Sequence, residues 1–385
     1  MRHLHPLRDL DETTLRARTS LKWREYPPDV LPLWVAEMDV VPARPVVDAL
    51  KRAVESGDTG YPHGNGYAEA LADFAADRWS WTGLDPQRTA YAADVMTGLS
   101  EVLRLVSAPG DPVVVNPPVY PPFFGFTEHA DRMIVEAPLG EDGRLDLGAL
   151  EAAFLTAGGS GRPVTYLLCN PHNPTAVAHT MTELTAVAAL AATHGVRVVV
   201  DEIHGPLVPG DFVPYLSIPG AEDAFAVTSA SKSWNLAGLK AAVIIAGERA
   251  AGDLERLPEI VSHGPSHLGM IAHTVALREG VAWLDAVQAD LAENRALLAE
   301  LLAEHLPGVR WARGDATYLA WLDCRDLRLG DDPAAAFLEQ GRVAVNSGLP
   351  FGTGGAGHVR LNIATSPQIL TEAITRMASV AGHPD

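Results

Sequence analysis

Short runs of apolar, mostly β-branched residues punctuate the chain at Pro112 to Val115, Val164 to Leu168, Val196 to Val200 and Ala241 to Ala246. Runs of this length without polar alternation are the pattern of strands buried on both faces. Between them lie stretches with helical periodicity, notably Leu99 to Ser107 and Met181 to His194. Strands alternating with helices predict an α/β fold with a mostly parallel sheet covered on both faces. In such sheets ligands bind outside the carboxyl ends of the strands. From about Leu254 the pattern changes. Val281 to Leu306 reads as one long helix rich in Ala, Leu and Glu, stopped by Pro307-Gly308. Short strands near Tyr318 to Leu322 and Val359 to Ile363, and a closing helix from Pro367, predict a smaller α+β domain. The Pro-rich opening from Tyr26 to Pro45 cannot be a regular helix and is expected to pack across a domain face. The expected division is an N-terminal segment, 1–45, packing with the small domain, a large domain, 46–253, and a small C-terminal domain, 254–385.

A length of 385 residues allows a large core and two or three domains. The net charge of −19 argues against nucleic acid and anionic membrane as partners, since either would be repelled. The two cysteines, Cys169 and Cys324, draw no disulfide framework and no paired-cysteine metal site, which suits a reducing compartment. Met1 to Leu10 carries His, Arg and Pro in place of an apolar run, unlike a signal peptide. Apolar stretches such as Ala186 to Ala192 are too short to span a bilayer. A soluble, cytoplasmic protein is expected, with no nucleic-acid or membrane partner.

Three segments that follow strands hold unusual residues. Cys169-Asn170-Pro171-His172-Asn173-Pro174 follows Val164 to Leu168, and Asp201-Glu202-Ile203-His204 follows Val196 to Val200. Thr228-Ser229-Ala230-Ser231-Lys232 follows the run Ala224 to Val227. All three should converge on one edge of the sheet. A lysine flanked by small hydroxyl residues is sterically open and can form a Schiff base with an aldehyde. An aspartate buried at a strand end can pair with a pyridinium nitrogen and keep it protonated, which makes the ring an electron sink. Ser229, Ser231 and Lys240 offer hydroxyls and a positive charge for a phosphate. Gly98 and Leu99 open a predicted helix whose amides and dipole favour the same anion.

The order Asn173, Asp201, Lys232, with Lys240 eight residues past the lysine, resembles the fold-type I enzymes of pyridoxal 5'-phosphate (PLP), which have the aspartate-aminotransferase-like fold. More narrowly, the chain resembles the cystathionine β-lyase-like C–S lyases of the maltose-regulon type. The matching segments are 19–23, 31–39, 117–123, 169–174, 201–204, 231–239 and 359–364, which together span nearly the whole chain. The resemblance implies that Lys232 holds the cofactor and later shuttles the Cα proton, and that Asp201 pairs with the pyridine nitrogen. Asn173 and His204 would contact the 3-oxygen, and Tyr120 would stack on the ring. Gly98, Leu99, Ser229, Ser231 and Lys240 would hold the phosphate. Tyr61, in Gly60-Tyr61-Pro62, would reach the phosphate of a neighbouring subunit, so a homodimer is implied. Arg360, with Asn173, would grip the substrate α-carboxylate.

Departures from that family fall at Thr175-Ala176, where a glycine is usual, and at Ala36-Glu37-Met38-Asp39, where the family has Ala-Asp-Met-Asp. Lys240 stands where many fold relatives have arginine. Other motifs do not hold. Gly352, Gly354 and Gly357 have dinucleotide-loop spacing but precede a strand, and so read as a flexible loop. His263, His267 and His273 invite a metal, but Gly264, Pro265 and Gly269 are expected to break the helix that would align them. Asp201, Glu202 and His204 sit at a strand end, where side chains alternate faces, so no metal is expected there either.

The reaction expected first is β-elimination from a sulfur-bearing amino acid such as cystathionine, with pyruvate and ammonia as products. An aminotransferase would share the scaffold, so the fold alone does not decide. A regulatory binding protein on the same fold is the reading from another class, and the intact Lys232 argues against a purely non-catalytic one.

Overall fold

The computed structural model describes residues 4–381. The outermost residues of the expected terminal segments, 1–3 and 382–385, lie outside the described residues. The helices of eight residues or more are α1 (Arg44–Ser56), α2 (Gly66–Trp79), α3 (Val95–Val106), α4 (Pro122–His129), α5 (Leu147–Gly158), α6 (Met181–His194), α7 (His267–Glu279), α8 (Val281–His305) and α9 (Pro367–Ala381).

A seven-stranded sheet forms the centre. Its strands are β1 (Thr89–Ala92), β2 (Pro112–Val115), β3 (Met133–Glu136), β4 (Val164–Cys169), β5 (Val196–Asp201), β6 (Phe225–Thr228) and β7 (Ala242–Ala246), in the spatial order β1-β7-β6-β5-β4-β2-β3. The five strands from β6 to β3 run parallel, while β7 pairs antiparallel with both β6 and β1. The period of two along each strand sends alternate residues to two cores. Val113, Val115, Leu167, Val199 and Val227 meet Val95, Leu99 and Val102 of α3 on one face. Val114, Tyr166, Leu168, Val198 and Ala226 meet Phe154 of α5 and Leu184 and Val187 of α6 on the other.

The C-terminal part carries an antiparallel sheet of β8 (Leu319–Asp323), β9 (Asn346–Ser347) and β10 (His358–Asn362), with β10 in the middle. The proline-rich opening contains no regular helix between Tyr26 and Ala43. Two-residue strands, Leu31–Pro32 and Val343–Ala344, pair in parallel and tie it to the C-terminal part. The strap that follows is pinned by Leu33 N donating to Ala344 O at 2.8 Å and Asp39 N to Ala364 O at 2.9 Å. Beneath it lies an ion pair in which both side chains are 1% exposed, Lys22 Nζ to Asp39 Oδ2 at 2.8 Å. Trp23 Nε1 donates to the other carboxylate oxygen at 2.8 Å, so the buried charges are paired and hydrogen-bonded.

Two local expectations are corrected. The helix after β1 starts at Val95, not Leu99, because Asp94 caps it by accepting from Thr97 N at 2.8 Å. Gly269 does not break a helix but sits inside α7. A Cβ there would lie 2.9 Å from Lys240 O, so glycine is what lets α7 press against the chain at Leu239–Lys240. Ala176, of the Thr175-Ala176 pair, takes the left-handed conformation at φ +57°.

Candidate active site

The register of the parallel strands decides where the three unusual segments end. Cys169 is paired with Asp201, and Asp201 with Val227, so β4, β5 and β6 finish level with one another. Past that edge lies a cavity of about 340 Å³, lined among others by Ala36, Tyr120, Asn173, Asp201, His204, Ser231, Lys232 and Lys240. Asp94 to Thr97, at the start of α3, form another part of its wall.

Lys232 follows β6 and turns its Nζ to the carbonyl of Ala36 in the strap, at 3.0 Å. Burial, with the Arg360 charge next in weight, lowers its amine to about 8. Asp201 closes β5, and burial raises its carboxyl to about 6 although Ile203 N donates to Oδ1 at 3.1 Å. A buried carboxyl in that condition is stabilised as an anion by any cation brought against it. His204 is buried and neutral, held to about 3 first by burial and then by the charges of Lys232 and Arg360. Its Nδ1 is buried with no hydrogen-bond partner. Glu202 points away, its Oε1 accepting from Tyr215 N at 2.7 Å, and burial raises its carboxyl to about 8. Alternation along the chain therefore separates Glu202 from Asp201 and His204.

Tyr120 stands on the cavity wall ahead of α4, its hydroxyl pushed above its ordinary value by burial. Arg360 comes from β10 and lies behind the lining, 4% exposed. One of its terminal nitrogens donates to Asn173 Oδ1 at 2.9 Å, and the other to Asn346 Oδ1 at 2.7 Å and Trp34 O at 3.1 Å. Its Nε is buried without a partner. Burial lowers this guanidinium to about 10, still charged at neutral pH. Asn173 thus links a cavity built by the large sheet to a cation supplied by the C-terminal part.

The expected phosphate contacts divide. Ser231 and Lys240 line the cavity. Gly98 and Leu99 do not: both lie inside α3, packed on the sheet, and Gly98 N is spent on Asp94 O at 2.9 Å. The correction follows from the earlier helix start, which puts the first-turn amides at Val95, Met96 and Thr97, the last of them taken by the Asp94 side chain. Ser229 is buried, its hydroxyl donating to Ala241 O at 2.7 Å and accepting from Ser231 N at 3.1 Å, outside the lining. Tyr61 is 89% exposed and does not line the cavity of its own chain. Sequence reasoning missed Asp94, Thr97 and Ala36. Asp94 alone left a signal, an acidic residue directly before the apolar residues that open a helix.

A second hollow, of about 550 Å³, is lined by Glu141, Asp142, Arg310, Asp323, Arg325 and His358. Within it Asp323 pairs with Arg325 at 2.8 Å and with Arg310 at 3.3 Å.

The family model for class I and II aminotransferases matches residues 28–377. A Mycobacterium leprae protein named "Putative cystathionine beta-lyase" is 57% identical over 97% of each chain. The cystathionine beta-lyase of Corynebacterium glutamicum is 35% identical over 95% of this chain and 98% of its own. Among solved structures, a Corynebacterium diphtheriae protein described as a "putative plp-dependent beta-cystathionase" superposes with a TM-score of 0.92 at 35% identity, covering 98% of this chain and 100% of its own. With the sheet order, the strand-end cavity and these matches in agreement, the chain belongs to the class I and II aminotransferase family of PLP-dependent enzymes.

Proposed function

We propose that the protein is a PLP-dependent carbon–sulfur lyase that eliminates the sulfur substituent of L-cystathionine or a related cysteine S-conjugate, releasing a thiol, pyruvate and ammonia. The observation that carries this reading is the joint lining of one cavity by Lys232, Asp201, His204 and Asn173, with Arg360 held on Asn173. The donor set fits the cofactor. A buried carboxyl in want of a cation suits a protonated pyridine nitrogen, an unpartnered buried His204 Nδ1 suits the 3-oxygen, and a cavity-lining amine lowered to about 8 suits an aldehyde. The names borne by the curated relatives favour a lyase over the aminotransferase reading, which the family description keeps in view.

When bound, PLP supplies an electron sink for the negative charge left at the substrate Cα. Lys232 Nζ would hold the cofactor by its aldehyde. The same amine would accept the substrate Cα proton, a task suited to a base near neutral pH. The Cβ–S electron pair leaves with sulfur, which is protonated to the thiol, and water takes up the remaining three-carbon fragment as pyruvate and ammonia. Arg360 and Asn173 orient the substrate by its α-carboxylate, Arg360 with parallel N–H groups. Tyr120 would cover the ring face, and Ser231, Lys240 and the first amides of α3 would hold the phosphate. The exposed Tyr61 reaches the phosphate of a second copy, in a homodimer acting in the cytoplasm.

The test is to mix PLP-loaded protein with L-cystathionine, without a keto acid, and follow pyruvate and free thiol. Sustained release of both, abolished by Lys232→Ala, is the expected result. No pyruvate, but transfer of the amino group to an added keto acid, would replace this reading with the aminotransferase.

A further inference from the structure

Val95, Met96 and Thr97 at the start of α3 line the cavity together with Ser231 and Lys240, the groups assigned above to the phosphate. Two of them are engaged by one side chain. Asp94, the cap of α3, accepts from Thr97 N through Oδ1 at 2.8 Å and from Lys240 Nζ through Oδ2 at 2.7 Å. This is an unusual residue to find there, since a carboxylate at the mouth of a phosphate site repels the anion the site is built for.

The geometry separates what is fixed from what can move. Asp94 is placed by the helix it caps. The Lys240 backbone is placed by Ser266 N, which donates to Lys240 O at 2.8 Å, and by α7 pressing in at Gly269. Only the lysine stem is free to redirect its charge, and it is 53% exposed. Burial alone would raise the Asp94 carboxyl, but the bonds from Lys240 and Thr97 more than offset this and hold it below its ordinary value.

We propose that Asp94 is a stand-in anion, whose carboxylate holds the Thr97 amide and the Lys240 ammonium in the cofactor-free protein and yields both to the cofactor phosphate on binding. The placeholder keeps the start of α3 and Lys240 in register while the site is empty of phosphate, and it weakens the grip on PLP. The proposal rests on the phosphate lying at the start of α3.

The experiment titrates PLP into PLP-stripped protein, reading its dissociation constant from the cofactor absorbance band, for wild type, Asp94→Asn, Lys240→Ala and the double variant. Asparagine keeps an oxygen for Thr97 N and loses the charge, so the fold is preserved. Asp94→Asn is expected to tighten PLP on the order of tenfold, the scale of one like-charge contact in partly solvated surroundings. Lys240→Ala is expected to cost a larger factor in the Asp94→Asn background than in wild type, because the ammonium no longer divides its attention. Weaker PLP binding by Asp94→Asn, or a smaller Lys240→Ala cost beside it, overturns the proposal and makes Asp94 a residue that aims Lys240. If Lys240→Ala changes nothing in either background while Lys232→Ala does, the phosphate lies elsewhere and the underlying placement fails with the proposal.

Discussion

Gly98 presses α3 against the sheet at Val227 and Ile244, and replacing it with alanine tests how the first turn of that helix is positioned. A Cβ at Gly98 would lie 2.8 Å from Val227 Cγ1, 3.3 Å from Ile244 Cγ1 and 3.5 Å from Ala92 Cβ. The closest of these is about 1 Å inside ordinary carbon–carbon contact. Neither Val227 nor Ile244 can turn aside, since both are fully buried on central strands and branched at Cβ. Overpacking of this kind costs about 1–3 kcal/mol. Alanine returns about 1 kcal/mol through its better helix propensity. A net loss of about 1 kcal/mol is expected in Gly98→Ala, read as a lower denaturant midpoint at unchanged slope. The relief available is for α3 to lift from the sheet, which carries Val95, Met96 and Thr97 with it. PLP affinity should therefore fall along with stability, although Gly98 touches no phosphate. Val227→Ala in the same chain opens the space and should restore PLP affinity. Unchanged stability and affinity in Gly98→Ala, or no recovery with Val227→Ala, would refute the packing argument.

Three further outcomes follow from particular residues. The Asp201 carboxyl, raised to about 6 by burial from an ordinary 3.8, binds protons more readily folded than unfolded, so the cofactor-free protein loses stability as pH rises through that window and carries the cost above it. PLP-free Asp201→Asn is thus expected to unfold later than wild type at pH 7, with the difference vanishing below pH 4, and to bind PLP more weakly; a wild type more stable at pH 7 would contradict this. Lys22→Met leaves Asp39 buried without its partner and should cost about 3–5 kcal/mol in a denaturant titration, with no comparable loss counting against the pair's structural role. Ala176→Gly relieves an L-residue held at φ +57° and is expected to gain up to about 1 kcal/mol, less what glycine adds to the freedom of the unfolded chain; thermal unfolding reads the sign.

The parts of the fold legible in the sequence are those whose signal is local. Pro112–Val115 and Met181–His194 run between the residues that periodicity assigned, and β4 and β5 each extend one residue further. Strands buried on both faces need unbroken apolar runs, and such runs are hard to mistake. The edge strands Thr89–Ala92 and Met133–Glu136 were not legible, because each is short and only partly buried and so carries no such run. The start of α3 lies outside the periodic stretch, which Val95 and Met96 precede, and only the Asp94 cap marks it.

Gly269 shows why the remainder resists a reading along the chain. Taken alone, a glycine after Gly264-Pro265 is a breaker. Its actual reason is a backbone pressed against it from Leu239–Lys240, a constraint that exists only once the chain has folded. The site has the same character. Lys232 meets a carbonyl 196 residues away, Arg360 meets Asn173 across 187, and Lys240 meets Asp94 across 146. Residue types and strand ends could nominate Lys232, Asp201 and Asn173, since each belongs to a local motif. What engages those residues, and which amides of α3 are left free for an anion, depends on how separate segments pack. Asp94 lies on that boundary, with a local role as a helix cap and a second role, toward Lys240, that only the folded chain creates.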